Sequence, residues 1–469
     1  MRRYFSLFVL TGYLLSAIVF LSMAQEQYSI SSRIVAWIIF LVGTAPTIRW
    51  LARSSLDGFP ILELVLLGYV SAFSLPVLFQ HSQEFHLLNL RPAELPVTEA
   101  LSLALLGMIL FYVGGSMAPK ILGALRVPVL SCRCRNSRLV VYGFTLIAVT
   151  LLTWTLDLGA LKGFLTLLIS RDLAIAILAI LYYRGELARS GRFFALGSIF
   201  LLVVVGLSTS LTRAILEPLL VWYLCRWMVT GKAELKYVLA GIFCLVLFQP
   251  VKLEYRNTVW AYQQELSVTE SAELLSVIFY RLWLQDPANA FSDSTTSRTS
   301  LLLQTAHVLN WTPSVVPYRN GDTLTSVFTS WVPRAVWSEK PSAQAANIHF
   351  ALDYGVTTYE GSLISMFGVG HIGESIMNFG QVFVGPIFFI LGILSGSAPY
   401  LLNLPRDIIS QLRSKDSSPD LSTPALSVAA FMQIFYIEGT ITESYGGLLN
   451  LIVIQGFVLH VLGRLKISA

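Results

Sequence analysis

The sequence predicts an all-α polytopic membrane protein of about 12 transmembrane helices, with one large outward-facing loop between spans 9 and 10. Three observations carry this. Of 469 residues, 55% are apolar and only 13% are charged, where a soluble chain has about 25% charged residues. The apolar residues gather in runs long enough to cross about 30 Å of hydrocarbon as helices rising about 1.5 Å per residue. The breaks between the runs hold the basic and turn-forming residues.

Residues 4–23 form the first run. Arg2 and Arg3 ahead of it and Ser22-Met23-Ala24 behind it also fit a loose signal-peptide pattern, but the run is long for a signal core and is read as span 1. Eight further runs follow at residues 34–48, 60–79, 97–113, 139–154, 165–183, 193–207, 214–229 and 237–251, so residues 1–251 make a first membrane block. Residues 252–375 are the large loop or lid. Runs at 376–401, 424–437 and 448–465 make a second block over 376–469.

Basic residues beside spans set orientation. With the N-terminus in the cytosol, 20 Arg and Lys residues fall on the cytosolic side. Only five (Arg33, Arg91, Lys162, Arg171 and Arg213) fall in or beside the short outer loops. Both termini are therefore expected in the cytosol, and the 252–375 segment faces outward. That segment holds five of the ten tryptophans (Trp260, Trp283, Trp311, Trp331 and Trp337), a composition that favours packing over a solvated chain.

Several function classes are disfavoured. The four cysteines (Cys132, Cys134, Cys225 and Cys244) lie in or near spans or cytosolic loops, so no disulfide framework is expected. Cys132 and Cys134 have no second Cys/His pair nearby to complete a metal site. Gly231-Lys232 is followed by Ala233 and lacks the upstream glycine of a phosphate loop. There is no HExxH and no Asp-x-Asp pair in the long segment, so neither a metal nor another cofactor is expected, nor a nucleic-acid partner. Bond-making on the outer face, where ATP is lacking, would need an activated substrate already in the membrane. Lipid-linked pyrophosphate sugars fit, and their leaving group calls for cationic donors.

The arginines near the outer boundary are the candidates. Arg213 ends the hydroxyl-rich turn Ser208-Thr209-Ser210-Leu211-Thr212-Arg213 at a helix start, where a guanidinium and unpaired N–H groups suit a phosphate. Its other reading is an arginine snorkelling to headgroups. Arg171 shares that ambiguity, with Asp172 beside it. Arg256 follows span 9 in Glu254-Tyr255-Arg256, and Arg281 is flanked by aromatics in Phe279-Tyr280-Arg281-Leu282-Trp283, which also suits cation–π packing. In the string from Trp331 to Pro341, Pro333-Arg334, Trp337 and Lys340-Pro341 set cations around a tryptophan, either as a sugar-phosphate edge or as a structural turn. His371 and Glu374 are spaced i, i+3, so on a helix they share a face and could supply or orient a general base.

Together, the many spans, the hydroxyl turn ending in Arg213, the late outer loop, the Pro333-Arg334 to Lys340-Pro341 string and Gly370-x-x-Gly373-Glu374 before Asn378-Phe379-Gly380 resemble the Wzy-type polymerases of bacterial O-antigen and exopolysaccharide repeat units. One departure is Thr212-Arg213-Ala214, where related enzymes often carry Ser-Arg-Gly. The resemblance implies a multi-pass protein of the bacterial inner membrane with a large periplasmic loop. It implies metal-independent glycosyl transfer from a growing glycan on undecaprenyl pyrophosphate to the next lipid-linked repeat unit. Arg213, Arg256 and Arg334, with Arg171, Arg281 and Lys340 behind them, would stabilise the departing pyrophosphate. Glu374 or His371 would accept the hydroxyl proton. Whether a separate chain-length regulator binds is left open.

Two rivals remain at the level of sequence. An O-antigen ligase would share the cations and the topology. A lipid-linked oligosaccharide flippase would line its membrane cavity with charges, and the spans here hold few.

Overall fold

The computed structural model describes residues 2–23, 28–51, 60–79, 94–125, 134–155, 165, 169–208, 212–232, 235–259, 268–287, 301–332, 336–359, 367–402, 408–414 and 420–464. Among them every regular element is helical, as hydrocarbon requires of segments that must satisfy their own backbone. Among the described residues, seven helices are long and apolar enough to cross a membrane: Ile30–Trp50, Ile61–Leu78, Val97–Ala124, Asn136–Thr153, Arg189–Gly206, Gln381–Leu401 and Thr442–Arg464. Thr11–Ser22 and Ser422–Phe435 are shorter apolar helices. The chain is a helical membrane protein.

Three further predicted spans are helices of a different character. Arg171–Arg184 has 14 residues and is buried from Asp172 through Leu181. A helix apolar on all sides belongs in a core, and this one packs against Asn136–Thr155, Thr212–Thr230 and Ser422–Phe435. Ser170 Oγ caps its start by accepting the Leu173 N–H at 3.3 Å, and Gly185 ends it in the left-handed region at φ 77°. Thr212–Thr230 and Leu235–Val259 are interrupted by charged residues and by Pro218 and Pro250.

The tightest helix pair is Val97–Ala124 against Val384–Leu401. Glycines permit it: a Cβ on Gly114 would strike the Phe389 carbonyl, one on Gly392 the Phe111 carbonyl, and one on Gly396 the Gly115 carbonyl. Small residues that let backbones touch are the usual basis of helix association in lipid. At one end of the bundle the arginines predicted to share a side meet helix carbonyls. Arg138 donates to Leu462 O, Arg184 Nη1 to Leu412 O at 2.6 Å, and Arg413 Nε to Met228 O at 3.3 Å.

Boundaries differ from expectation in three places. The run at 376–401 is not one helix: Gly380, at φ 80°, separates Gly370–Phe379 from the span beyond it. His371 before the break and Phe388 after it meet the same ring, Tyr69, at centroid distances of 6.4 and 5.7 Å, so the chain folds back on itself there. The last span begins at Thr442 and contains two π-helical turns, Thr442–Gly446 and Leu451–Gln455. Finally, the helix predicted to end at residue 251 continues to Val259. Val268–Tyr280 and its π-helical extension return along it, with Trp283 Nε1 donating to Leu247 O at 2.9 Å.

The long hydrophilic segment packs in two ways among the described residues: Tyr255, Val259 and Ile278 form a small cluster of their own with Val251, and the part from Leu301 onward joins the main core. Leu302–Trp311 is inserted among the spans, its entry fixed by the Leu301 N–H donating to Ala72 O at 3.1 Å. Leu302, Ala306, Val308, Phe350 and Tyr354 are fully buried and continuous with the membrane core.

Candidate functional site

The site grows from the ten-residue helix Gly370–Phe379. Gly370 enters it at φ 67°, and Asn347 Oδ1 accepts the Val369 N–H at 3.1 Å just before it. His371, Glu374, Ser375 and Asn378 follow at helical spacing, so one stripe of this helix is polar, and all four are buried. Buried polar groups need partners, and theirs come from distant parts of the chain.

His371 is held at both ring nitrogens, with Tyr69 Oη 2.9 Å from Nδ1 and Ser444 Oγ 3.0 Å from Nε2. Tyr69 directly precedes the π-helical turn Val70–Ser74, and Ser444 lies within the turn Thr442–Gly446. Such turns are frequent at functional sites because they redirect side chains out of the helical repeat. Burial pushes the imidazole pKa down to about 3, so His371 is neutral at physiological pH.

Glu374 has no exposed surface. Thr323 Oγ1 donates to its Oε1 at 2.7 Å and the Ile441 N–H to its Oε2 at 2.5 Å. Burial raises its pKa to about 7; the Ile441 and Thr323 donors oppose the rise and the charge of Glu443 adds to it. Asn378 Nδ2 donates to Thr323 Oγ1 at 2.8 Å and its Oδ1 accepts the Gly321 N–H at 3.0 Å. Thr442 Oγ1 donates to Thr323 O at 3.1 Å and receives the Ser326 hydroxyl at 3.1 Å. Glu443, half-buried, accepts from Thr440 N–H at 3.0 Å and lies 3.5 Å from Asn347 Nδ2. The loop 318–330, the helix Ala345–Asp353, the helix Gly370–Phe379 and the tip of the last helical hairpin thus converge on one polar cluster.

The predicted residues fall into groups by their partners. His371 and Glu374 share the cluster. Lys340 is tied to its edge: Nζ donates to Ser330 O at 2.8 Å and Val332 O at 2.9 Å, and Ser330 Oγ donates to Gly446 O at 3.1 Å. The ammonium thus clasps the base of the string that carries Trp337, which is exposed. Arg171 is paired with Glu217 and, at 3.6 Å, with Asp172. Glu217 lies one helical turn after Arg213, so the first turns of two neighbouring helices meet there. Arg281 pairs with Glu254 at 2.5 Å, two residues before Arg256. The side chains of Arg213 and Arg256, and all of Arg334, lie outside the described residues.

Sequence reading missed Tyr69, Thr323, Asn347, Glu443 and Ser444. The polar stretch Glu438 to Ser444, set between apolar runs, was the one available signal; Tyr69 carried none. No family model, no curated protein and no solved structure matches the chain.

Proposed function

We propose that the chain is a bacterial inner-membrane glycosyltransferase that polymerises undecaprenyl-pyrophosphate-linked oligosaccharide repeat units on the periplasmic face, with both termini in the cytosol. The observation that supports this reading most is the convergence of the outward segment onto a buried polar cluster among membrane helices. Buried ionisable groups gathered from distant parts of a chain are candidates for a functional site. Arg213, Arg256 and Arg334 are the proposed donors to the departing pyrophosphate, with Arg171 and Arg281 as further cations. Glu374 and His371 expose no polar atom, so in this reading they hold the wall of the site rather than touch the sugar.

The test uses the full chain in liposomes with lipid-linked repeat units presented on the outer leaflet. Arg213→Ala, Arg256→Ala and Arg334→Ala are each expected to reduce polymer formation about 10²-fold or more, the usual effect of losing one donor to a developing negative charge. Unchanged polymer length and rate in all three would exclude the assignment. A ladder that forms only on a lipid A-core acceptor would identify a ligase instead.

One observation favours a second reading, a lipid-linked oligosaccharide transporter. Glu374 is a buried carboxyl that titrates near neutrality, and proton-coupled carriers rely on such groups. Movement of substrate across the bilayer without chain extension would establish it.

A further inference from the structure

Asp353 closes the helix Ala345–Asp353, and its Oδ2 is held from two sides. Arg319 Nη2 donates to it, and His349 Nδ1, one turn earlier on the same helix, lies 3.2 Å away. Among the described residues, His349 Nε2 makes no hydrogen bond. The side chains are 28% (Arg319), 29% (His349) and 29% (Asp353) exposed, in contrast to the sealed His371 and Glu374.

The trio rests on rigid supports. The opposite face of the Ala345–Asp353 helix is buried through Ala346, Asn347, Phe350 and Ala351. Arg319 is fixed through its backbone: its N–H donates to Met377 O at 2.9 Å and that of Asn320 to Asn378 O at 3.0 Å. The same helix end thus fixes both Arg319 and, through Asn378 and Thr323, the Glu374 cluster. Asn347, two residues before His349, reaches Glu443.

We infer that His349 is the catalytic proton acceptor for the acceptor-sugar hydroxyl, with Asp353 and Arg319 as positioning residues. The inference rests on the reading as glycosyl transfer. With Nδ1–H donated to Asp353, the Nε2 lone pair points away from the carboxylate and takes the hydroxyl proton. The freed oxygen forms the bond to the anomeric carbon. The bond from that carbon to the pyrophosphate oxygen breaks, and its electron pair leaves on the pyrophosphate. Asp353 accepts from the imidazolium, and Arg319 holds the Asp353 carboxylate in place. The proton then passes to water, since the trio is exposed. A histidine held at one nitrogen by a carboxylate and open at the other is the arrangement general-base chemistry needs. His371 lacks it, because both of its nitrogens are engaged.

The experiment measures polymer formation by the full chain in liposomes supplied with lipid-linked repeat units. His349→Ala and His349→Gln are expected to lower kcat by about 10²- to 10⁴-fold while KM for the lipid-linked donor changes less than about threefold. Added imidazole should restore part of the His349→Ala rate. Asp353→Asn should lower kcat at least about tenfold with KM for the lipid-linked donor unchanged, because the imidazole loses the acceptor that orients it. Activity of both His349 variants within about threefold of the parent overturns the inference. So does a loss that imidazole leaves untouched and that comes with a lowered unfolding temperature. If the parent polymerises and Arg213→Ala does not, while His349→Ala does, only the proton acceptor is wrong. No polymer from the parent removes the glycosyl-transfer reading and this inference together.

Discussion

A carboxyl group sealed among helices must either shed its charge or be hydrogen-bonded in charged form, and Glu374 stands between the two. Its pKa of about 7 against an ordinary 4.5 has a definite sign for stability. Below pH 4.5 the group is protonated in both folded and unfolded chains and costs nothing. As pH rises from there, the unfolded chain loses the proton first, so the native state is progressively disfavoured until the folded group ionises as well, near pH 7. The penalty reaches roughly 3 kcal/mol at one pKa unit per about 1.4 kcal/mol. Thermal unfolding in detergent should therefore show stability falling between about pH 4.5 and 7, and Glu374→Gln should flatten that slope. An identical slope in the variant would assign it to other groups. The i, i+3 spacing of His371 and Glu374 made their shared face legible in the sequence. Their burial was not legible, because Thr323 and Ile441 approach from elements whose placement no local period encodes.

Among the elements, the crossing of Val97–Ala124 and Val384–Leu401 shows how glycine position decides packing. Gly392 leaves no room for a Cβ beside the Phe111 carbonyl, whereas Gly197, on the Arg189–Ser208 helix, has nothing within 4 Å. Gly392→Leu should lower stability by about 1–3 kcal/mol or more through forced separation of the helices. Gly197→Ala should raise it by about 0.5–1 kcal/mol by restricting the unfolded chain. Unfolding midpoints of the purified variants check both signs. The apolar runs were legible element by element, but the break at Gly380 was not. A glycine inside an apolar run reads as tolerated in a span, and only the folded chain, with Gly380 at φ 80° and both His371 and Phe388 against Tyr69, shows the turn there.

At the scale of the whole molecule, the proposed topology sets Asn320 and Ser190, both exposed, on opposite sides of the membrane. In a background with Cys132, Cys134, Cys225 and Cys244 replaced by serine, a membrane-impermeant maleimide should label Asn320→Cys in intact spheroplasts. Ser190→Cys should label only after permeabilisation. The opposite pattern would invert the orientation and place the His349 trio in the cytosol, where the proposed substrate geometry fails.

Hydrocarbon accepts only segments that satisfy their own backbone, so a run of apolar residues declares a helix wherever it occurs, and the sequence alone determined an all-helical membrane protein. Helical spacing likewise put His371 and Glu374 on one face. Tertiary structure alone decided their company. Tyr69 reaches His371 across 302 residues, Ile441 reaches Glu374 across 67, and Arg319 meets Asp353 across 34. Those meetings depend on how helices seat against one another, through glycine gaps, π-helical turns and the inserted Leu302–Trp311 helix. Packing of that kind is a property of the assembled surfaces and leaves no period in the chain.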